Sequence, residues 1–215
     1  MEGKVRLKGF VLMSIGKNIP ALEILHSNLS EFFDRFQKKY GSQMKCGLGC
    51  SQCCVGRLSV FPVEARMIIT WFNGLEKEEK IALQKSWEHV NEQQTEKSRE
   101  KCNFLLDNKC SIYPVRPVLC RAQGLPLKVS TGLKQSEIEA DEYSLSLCEL
   151  NFQDESQLPD VAEWLDLERV NTLLSIAEKF SKNEEISESL MSILNAESGR
   201  ISLSGLQQHL LQKQC

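Results

Sequence analysis

Four thiols fall within one short run, Cys46-Gly-Leu-Gly-Cys50-Ser-Gln-Cys53-Cys54, and four more follow at Cys102, Cys110, Cys120 and Cys148. Thiols this dense either close disulfides or ligate a metal. Metal ligation needs several thiolates aimed at one point, and a two-residue spacer such as Cys50-Ser-Gln-Cys53 lets a tight turn aim two sulfurs the same way. Gly47 and Gly49 can take backbone angles closed to other residues and let the loop wrap an ion closely. Cys53 and Cys54 are adjacent, so their side chains diverge and only one is expected to point at the same ion. The second stretch, Cys110-Ser-Ile-Tyr113-Pro114-Val-Arg116-Pro117-Val-Leu-Cys120-Arg121, is stiffened by its prolines. Arg116 and Arg121 can donate to thiolates, and a divalent ion held by four thiolates carries a net charge of about −2 that such donors offset.

Composition decides between disulfides and metal. The chain has 215 residues, a net charge of −3, 41% hydrophobic and 26% charged residues and nine cysteines. That length buries a core without covalent staples, and an odd cysteine count fits poorly with a closed disulfide set. No apolar run reaches the roughly 20 residues that span a bilayer, and the N-terminal stretch Phe10-Val-Leu-Met13 is too short for a signal-peptide core. The expectation is a cytoplasmic protein, where thiols stay reduced and clustered cysteines bind metal. There is no basic footprint for nucleic acid or an anionic membrane. His26, His89 and His209 lie outside the cysteine segments and read as helix or surface residues. Cys215 lacks the residues a prenylation box requires after its cysteine and reads as incidental.

These thiols must be positioned by the elements around them. Leu22, Leu25, Leu29, Phe32 and Phe36 recur at helical spacing, with Pro20 near the start and Gly41 past the end. A second helix is expected over 62–73, opened by Pro62, and an exposed one within the charged stretch Glu76–Lys101. Residues 124–130 read as an extended strand that could pair with residues 57–61. Trp164, Leu167, Val170, Leu174, Ala177 and Phe180 form one late helical stripe, and Ile186, Leu190, Ile193 and Leu194 another. The expected fold is mainly α: helices packed around a loop-rich cysteine-cluster metal centre, with at most a small two-stranded sheet. The expected organisation is an N-terminal helical segment (1–43), a metal-binding domain (44–150) and a C-terminal helical segment (151–215).

The pattern Cys50-x-x-Cys53-Cys54, then Val60-Phe-Pro-Val-Glu64, then Cys110 to Arg121 resembles the cysteine-cluster (CxxCxxCC, YkgJ-like) family, described as a zinc- or iron-chelating domain. The resemblance covers about residues 44–150. It implies metal-binding roles for Cys46, Cys50, Cys53, Cys54, Cys102, Cys110 and Cys120, and Cys148 matches a late cysteine often present in such proteins. Three residues separate Cys46 from Cys50, where the family pattern has two. Tyr113, Arg116 and Arg121 are expected to support the ligands.

Spacing leaves the cofactor open between an iron–sulfur cluster and Zn2+; the surplus and adjacency of the thiols favour iron–sulfur. The functions this implies are a metal-binding iron–sulfur protein with a redox role and a protein redox partner, an iron–sulfur oxidoreductase among them, or a structural zinc-binding accessory protein. The Cys46-x3-Cys50-x2-Cys53 spacing also matches the cluster motif of radical S-adenosylmethionine enzymes. Gln52 in place of an aromatic, the short chain and the missing barrel pattern oppose that reading. Flagellin lysine N-methylases carry a similar cysteine cluster, but nothing else in the sequence resembles a methylation site.

Overall fold

The computed structural model describes residues 20–47, 49–55, 57–92, 101–130, 143–181 and 188–212. Residues 10–13, residues 93–100, Ile186 and Cys215, on which some of the expectations fall, lie outside them. Helix α1 (Pro20–Tyr40) starts on its proline and buries Leu22, Leu25, His26, Leu29 and Phe36 along one face. Each such leucine contributes roughly 1.5–3 kcal/mol by leaving water. Helix α2 (Pro62–Asn73) also begins on a proline, a residue whose missing N–H costs nothing at the first helical position. Helix α3 (Lys77–Glu92) is exposed over most of its length. Its exception is Trp87, fully buried and stacked on Phe72 at 5.7 Å and edge-on to Phe104 at 5.3 Å. The Trp87 indole N–H donates to Ser111 Oγ at 2.9 Å, so its one polar atom is satisfied.

The expectation of a mainly α protein with at most one two-stranded sheet fails. The described residues form a mixed α/β fold with three small sheets. In the first, β1 (Ser59–Val60) pairs with β8 (Arg200–Ser202), which pairs with β7 (Leu194–Asn195), all antiparallel. The second is the hairpin of β2 (Leu105–Leu106) and β3 (Lys109–Cys110). In the third, β4 (Leu127–Ser130) runs antiparallel to β5 (Tyr143–Ser146) and parallel to β6 (Leu165–Asp166). The strand expected near 124–130 is present, but its expected pairing with 57–61 is not. Each of those segments takes a partner from the C-terminal third. Strands of two to four residues carry too little alternation to reveal themselves as sequence.

Helix α4 (Val118–Ala122) packs on α1, and α5 (Leu167–Ser181) packs on α1, α2 and β4. Val170, Leu174 and Ala177 of the first late stripe are buried, whereas Phe180 is 75% exposed. The second stripe does not form one helix. It divides between α6 (Glu188–Met191) and β7, before β8 leads into α7 (Leu203–Gln212). One apolar cluster runs from Leu22 through Trp87, Phe104 and Leu125 to Leu210. No helix among the described residues is long and apolar enough to cross a membrane.

Candidate metal centre

The first cysteine loop is stitched to the chain around Cys148 by one side chain. Asn151 accepts from the Lys45 backbone N–H at 2.8 Å and donates to Cys46 Sγ at 3.3 Å and to the Gly124 carbonyl at 2.7 Å. Its own N–H donates to the Cys148 carbonyl at 2.9 Å, and the N–H of Phe152 donates to Gln43. Cys46 packs hard on Gly124, whose φ is +91°; a Cβ there would lie 2.3 Å from Cys46 Sγ. Further along the loop, Cys50 N–H closes a turn onto the Gly47 carbonyl at 3.1 Å, across Gly49 with φ +89°.

The loop then meets the second cysteine stretch through backbone bonds. Cys54 N–H donates to Ser51, and Cys102 N–H donates to the Cys54 carbonyl at 2.9 Å. Beside them Val55 and Lys101 form a bridge, and Ser51 Oγ donates to Asn108 Oδ1 at 3.1 Å. The β2–β3 hairpin turns on Asp107 and Asn108, both with positive φ, as the tight turn matching strand twist requires. It sets Cys110 opposite Leu105. A 3-10 turn, Tyr113–Val115, and Pro117 then lead into α4, which carries Cys120.

All eight described cysteines are free thiols. Burial pushes Cys110 up to about 11 and Cys120 up to about 12, and raises Cys102 as well. Cys46 is raised by burial against the opposing hydrogen bond from Asn151. The adjacent pair splits. The Cys53–Cys54 hydrogen bond, then burial, raises Cys53, while the same bond lowers Cys54. Cys54 is therefore the thiol of the pair poised to ionise. The charge of Cys54 is felt with those of Cys102, Cys110 and Cys120, and Cys46 is felt with Cys148, Cys50 and Cys53. Among the described residues, no three histidine, cysteine or acidic side chains are already grouped to hold an ion. The donor set itself, all thiol and, Cys53 apart, partly buried, is of the type that suits zinc or iron.

The family model for CxxCxxCC, described as "Putative zinc- or iron-chelating domain", matches residues 45–148. This stretch of the chain is similar to that domain. No curated protein and no solved structure matches the chain.

The arginines of the matched stretch take different positions. The Arg116 guanidinium lies over the Tyr113 ring at 4.0 Å, and its charge is felt by Cys53 and Cys110. Arg121 donates to the carbonyls of Arg116 at 3.1 Å and Pro114 at 2.7 Å and to Ser30 Oγ at 3.1 Å. It thus ties the turn before Cys120 to α1, and these bonds all go to oxygen rather than sulfur.

Sequence reasoning missed two supports of the domain and underused a third. Nothing marked Asn151 or Gly124, although an asparagine three residues after Cys148 is suited to local turn bonding. Glu64 stood in the quoted pattern without a role. It is 3% exposed; its Oε2 accepts from Phe61 N–H at 3.0 Å and its Oε1 from Val118 N–H at 2.9 Å. One carboxylate therefore fixes the start of α2 to the start of α4, and so places Cys120. Glu64 also faces the cleft that Cys120 lines with Val118, Leu174 and Arg200.

Proposed function

We propose that this chain is a cytoplasmic metal-binding protein that holds an iron–sulfur cluster through its clustered cysteines and exchanges electrons with a protein partner. The ligands in this reading are Cys46, Cys50, Cys53, Cys54, Cys102, Cys110, Cys120 and Cys148. Residues 44–150 form the metal-binding unit, preceded by α1 and followed by a stretch that holds both helices and the short strands β6, β7 and β8. The observation that carries it is the backbone bond from Cys102 to Cys54, which joins two cysteine stretches far apart in sequence. Exposed Cys53 gives a partner an approach to the thiols, and Arg116 offsets their charge on ionisation.

Bound iron–sulfur would supply one-electron chemistry. The chain's own residues present the sulfurs, hold the loops in register through Asn151 and Glu64, and limit water by partly burying Cys102, Cys110 and Cys120. The burial of those same three thiols also favours a second reading, in which zinc closes a structural site and stabilises the loops. Anaerobic purification with iron, zinc and acid-labile sulfide analysis and an absorption spectrum separates the two. Iron with sulfide and a brown colour that bleaches on reduction supports the first reading. A colourless zinc protein supports the second, and a chain that takes up neither metal refutes both.

A further inference from the structure

We propose that the cleft between the start of α2, α4, α5 and the β1–β8 pair binds a small organic carboxylate, its acid group on the Arg200 guanidinium and its short aliphatic chain against Val170 and Leu174. This goes beyond the metal-binding reading and stands whichever ion the thiols hold.

A cation held rigidly without a counter-charge is the first observation. Pairing of β8 with β1 brings Arg200 beside Ser59. Arg200 Nε donates to Ser59 Oγ at 3.1 Å, Nη2 donates to the Ser59 carbonyl at 2.8 Å, and the guanidinium lies over the Phe61 ring at 4.3 Å. A guanidinium carries five N–H donors. Ser59 takes two of them, and no carboxylate among the described residues forms an ion pair with Arg200. The donors left over lie on Nη1 and Nη2, the planar fork that matches the two oxygens of a carboxylate. Glu64, the one acidic side chain lining the cleft, spends an oxygen on each of the Phe61 and Val118 N–H groups. Arg200 is therefore the group with bonding capacity to offer a ligand.

The walls are the second observation. Val118, Leu119, Val170, Leu174 and Leu203 line the same cleft, and the exposed Asn171 stands at its edge. An apolar concavity with a few convergent polar groups is the usual form of a small-molecule site. An inorganic anion gains nothing from such walls, whereas an aliphatic chain leaves water against them. The cleft holds about 80 Å³. At about 10–15 Å³ for a water, that is room for roughly six water-sized groups, the size of butyrate.

The probe is butyrate, titrated into the full chain as purified and followed by saturation-transfer NMR, with butanol, butylamine and inorganic phosphate as comparisons. Butyrate should bind saturably and about tenfold more tightly than butanol, the gain expected of hydrogen bonds to a charged group. Butylamine and phosphate should bind more weakly still. Arg200→Gln, which can still donate to Ser59, should erase the preference for butyrate over butanol. Asn171→Asp changes an exposed residue and sets a negative charge at the edge of the cleft; it should weaken butyrate roughly threefold with folding unchanged. That variant keeps the test decisive if Arg200→Gln fails to fold. Absence of saturable butyrate binding overturns the proposal. Butanol or phosphate binding as tightly as butyrate overturns it too, as does a folded Arg200→Gln chain with full butyrate affinity. Tighter binding of 2-aminobutyrate than of butyrate would give Glu64 a direct part and overturn the assignment to a simple carboxylate.

Discussion

Replacing Gly124 by alanine tests the packing on which Cys46 depends. Two costs arise there. The backbone stands at φ +91°, a region that costs a residue bearing a Cβ about 1–2 kcal/mol. The new methyl would also sit 2.3 Å from Cys46 Sγ, where ordinary contacts between heavy atoms begin near 3.5 Å. The sulfur has to swing by more than about 1 Å and lose its Asn151 donor, an overpacking cost of about 1–3 kcal/mol. Gly124→Ala should therefore destabilise the metal-free chain by about 2–5 kcal/mol in reducing urea denaturation. It should also weaken metal uptake in which Cys46 takes part. The double variant Gly124→Ala/Cys46→Ala removes the sulfur and keeps the strained backbone. Relative to Cys46→Ala alone, it should cost only the backbone share, and the difference measures the contact. A Gly124→Ala chain within about 0.5 kcal/mol of wild type would refute the reasoning.

Further outcomes follow from other residues. Burial, with Arg121 and Arg116 nearby, drops the His26 imidazole to about 3, and its Nε2 has no partner among the described residues. A base depressed in the fold stabilises above its unfolded value of about 6.5 and loses that contribution as pH falls. Stability should decline by about 2 kcal/mol from this residue between pH 7 and pH 5, and His26→Gln should flatten the urea-midpoint profile over that window. Glu64→Ala leaves two backbone donors unpaired and should cost about 2–4 kcal/mol, while Glu64→Gln, keeping one acceptor, should cost roughly half as much by the same measurement. Burial raises the Glu64 carboxyl, so its contribution is full at acid pH and falls as pH rises; Glu64→Gln should remove that loss. Arg116→Ala should lower metal affinity in chelator competition by roughly tenfold with little change in folding, whereas Arg116→Lys should recover part of it.

The helices that frame the site were legible because their signals are local. Pro20 and Pro62 open α1 and α2 where capping chemistry puts them, and Leu22, Leu25 and Leu29 face inward as their spacing requires. The cysteine segments were legible by composition, and residues 45–148 match the family that the pattern resembles. The sheets were not legible, because their register is set by partners far along the chain: Ser59 opposes Ser202, and Leu127 opposes both Ser146 and Leu165. The late stripe that ends at Leu194 reads as helix by periodicity, yet Leu194 pairs as strand with Ile201. Tertiary pairing overrides a weak local period in so short a segment. Trp87 shows the same limit, since nothing in the polar sequence around it announces a pocket between Phe72 and Phe104. Asn151 and Gly124 escaped notice because their roles exist only once Cys46 has been brought against them.

The pairing of β1 with β8 carries a kinetic consequence. Arg200 donates to Ser59 Oγ at 3.1 Å and to the Ser59 carbonyl at 2.8 Å across 141 positions of sequence. As the chain leaves the ribosome, its early thiols emerge well before residues 194–202 can close that sheet. The first cysteine loop is likewise synthesised before Asn151, whose side chain holds Cys46 in the finished fold. For that interval the nascent thiols depend on the reducing power of their surroundings, rather than on the finished architecture, to stay unoxidised.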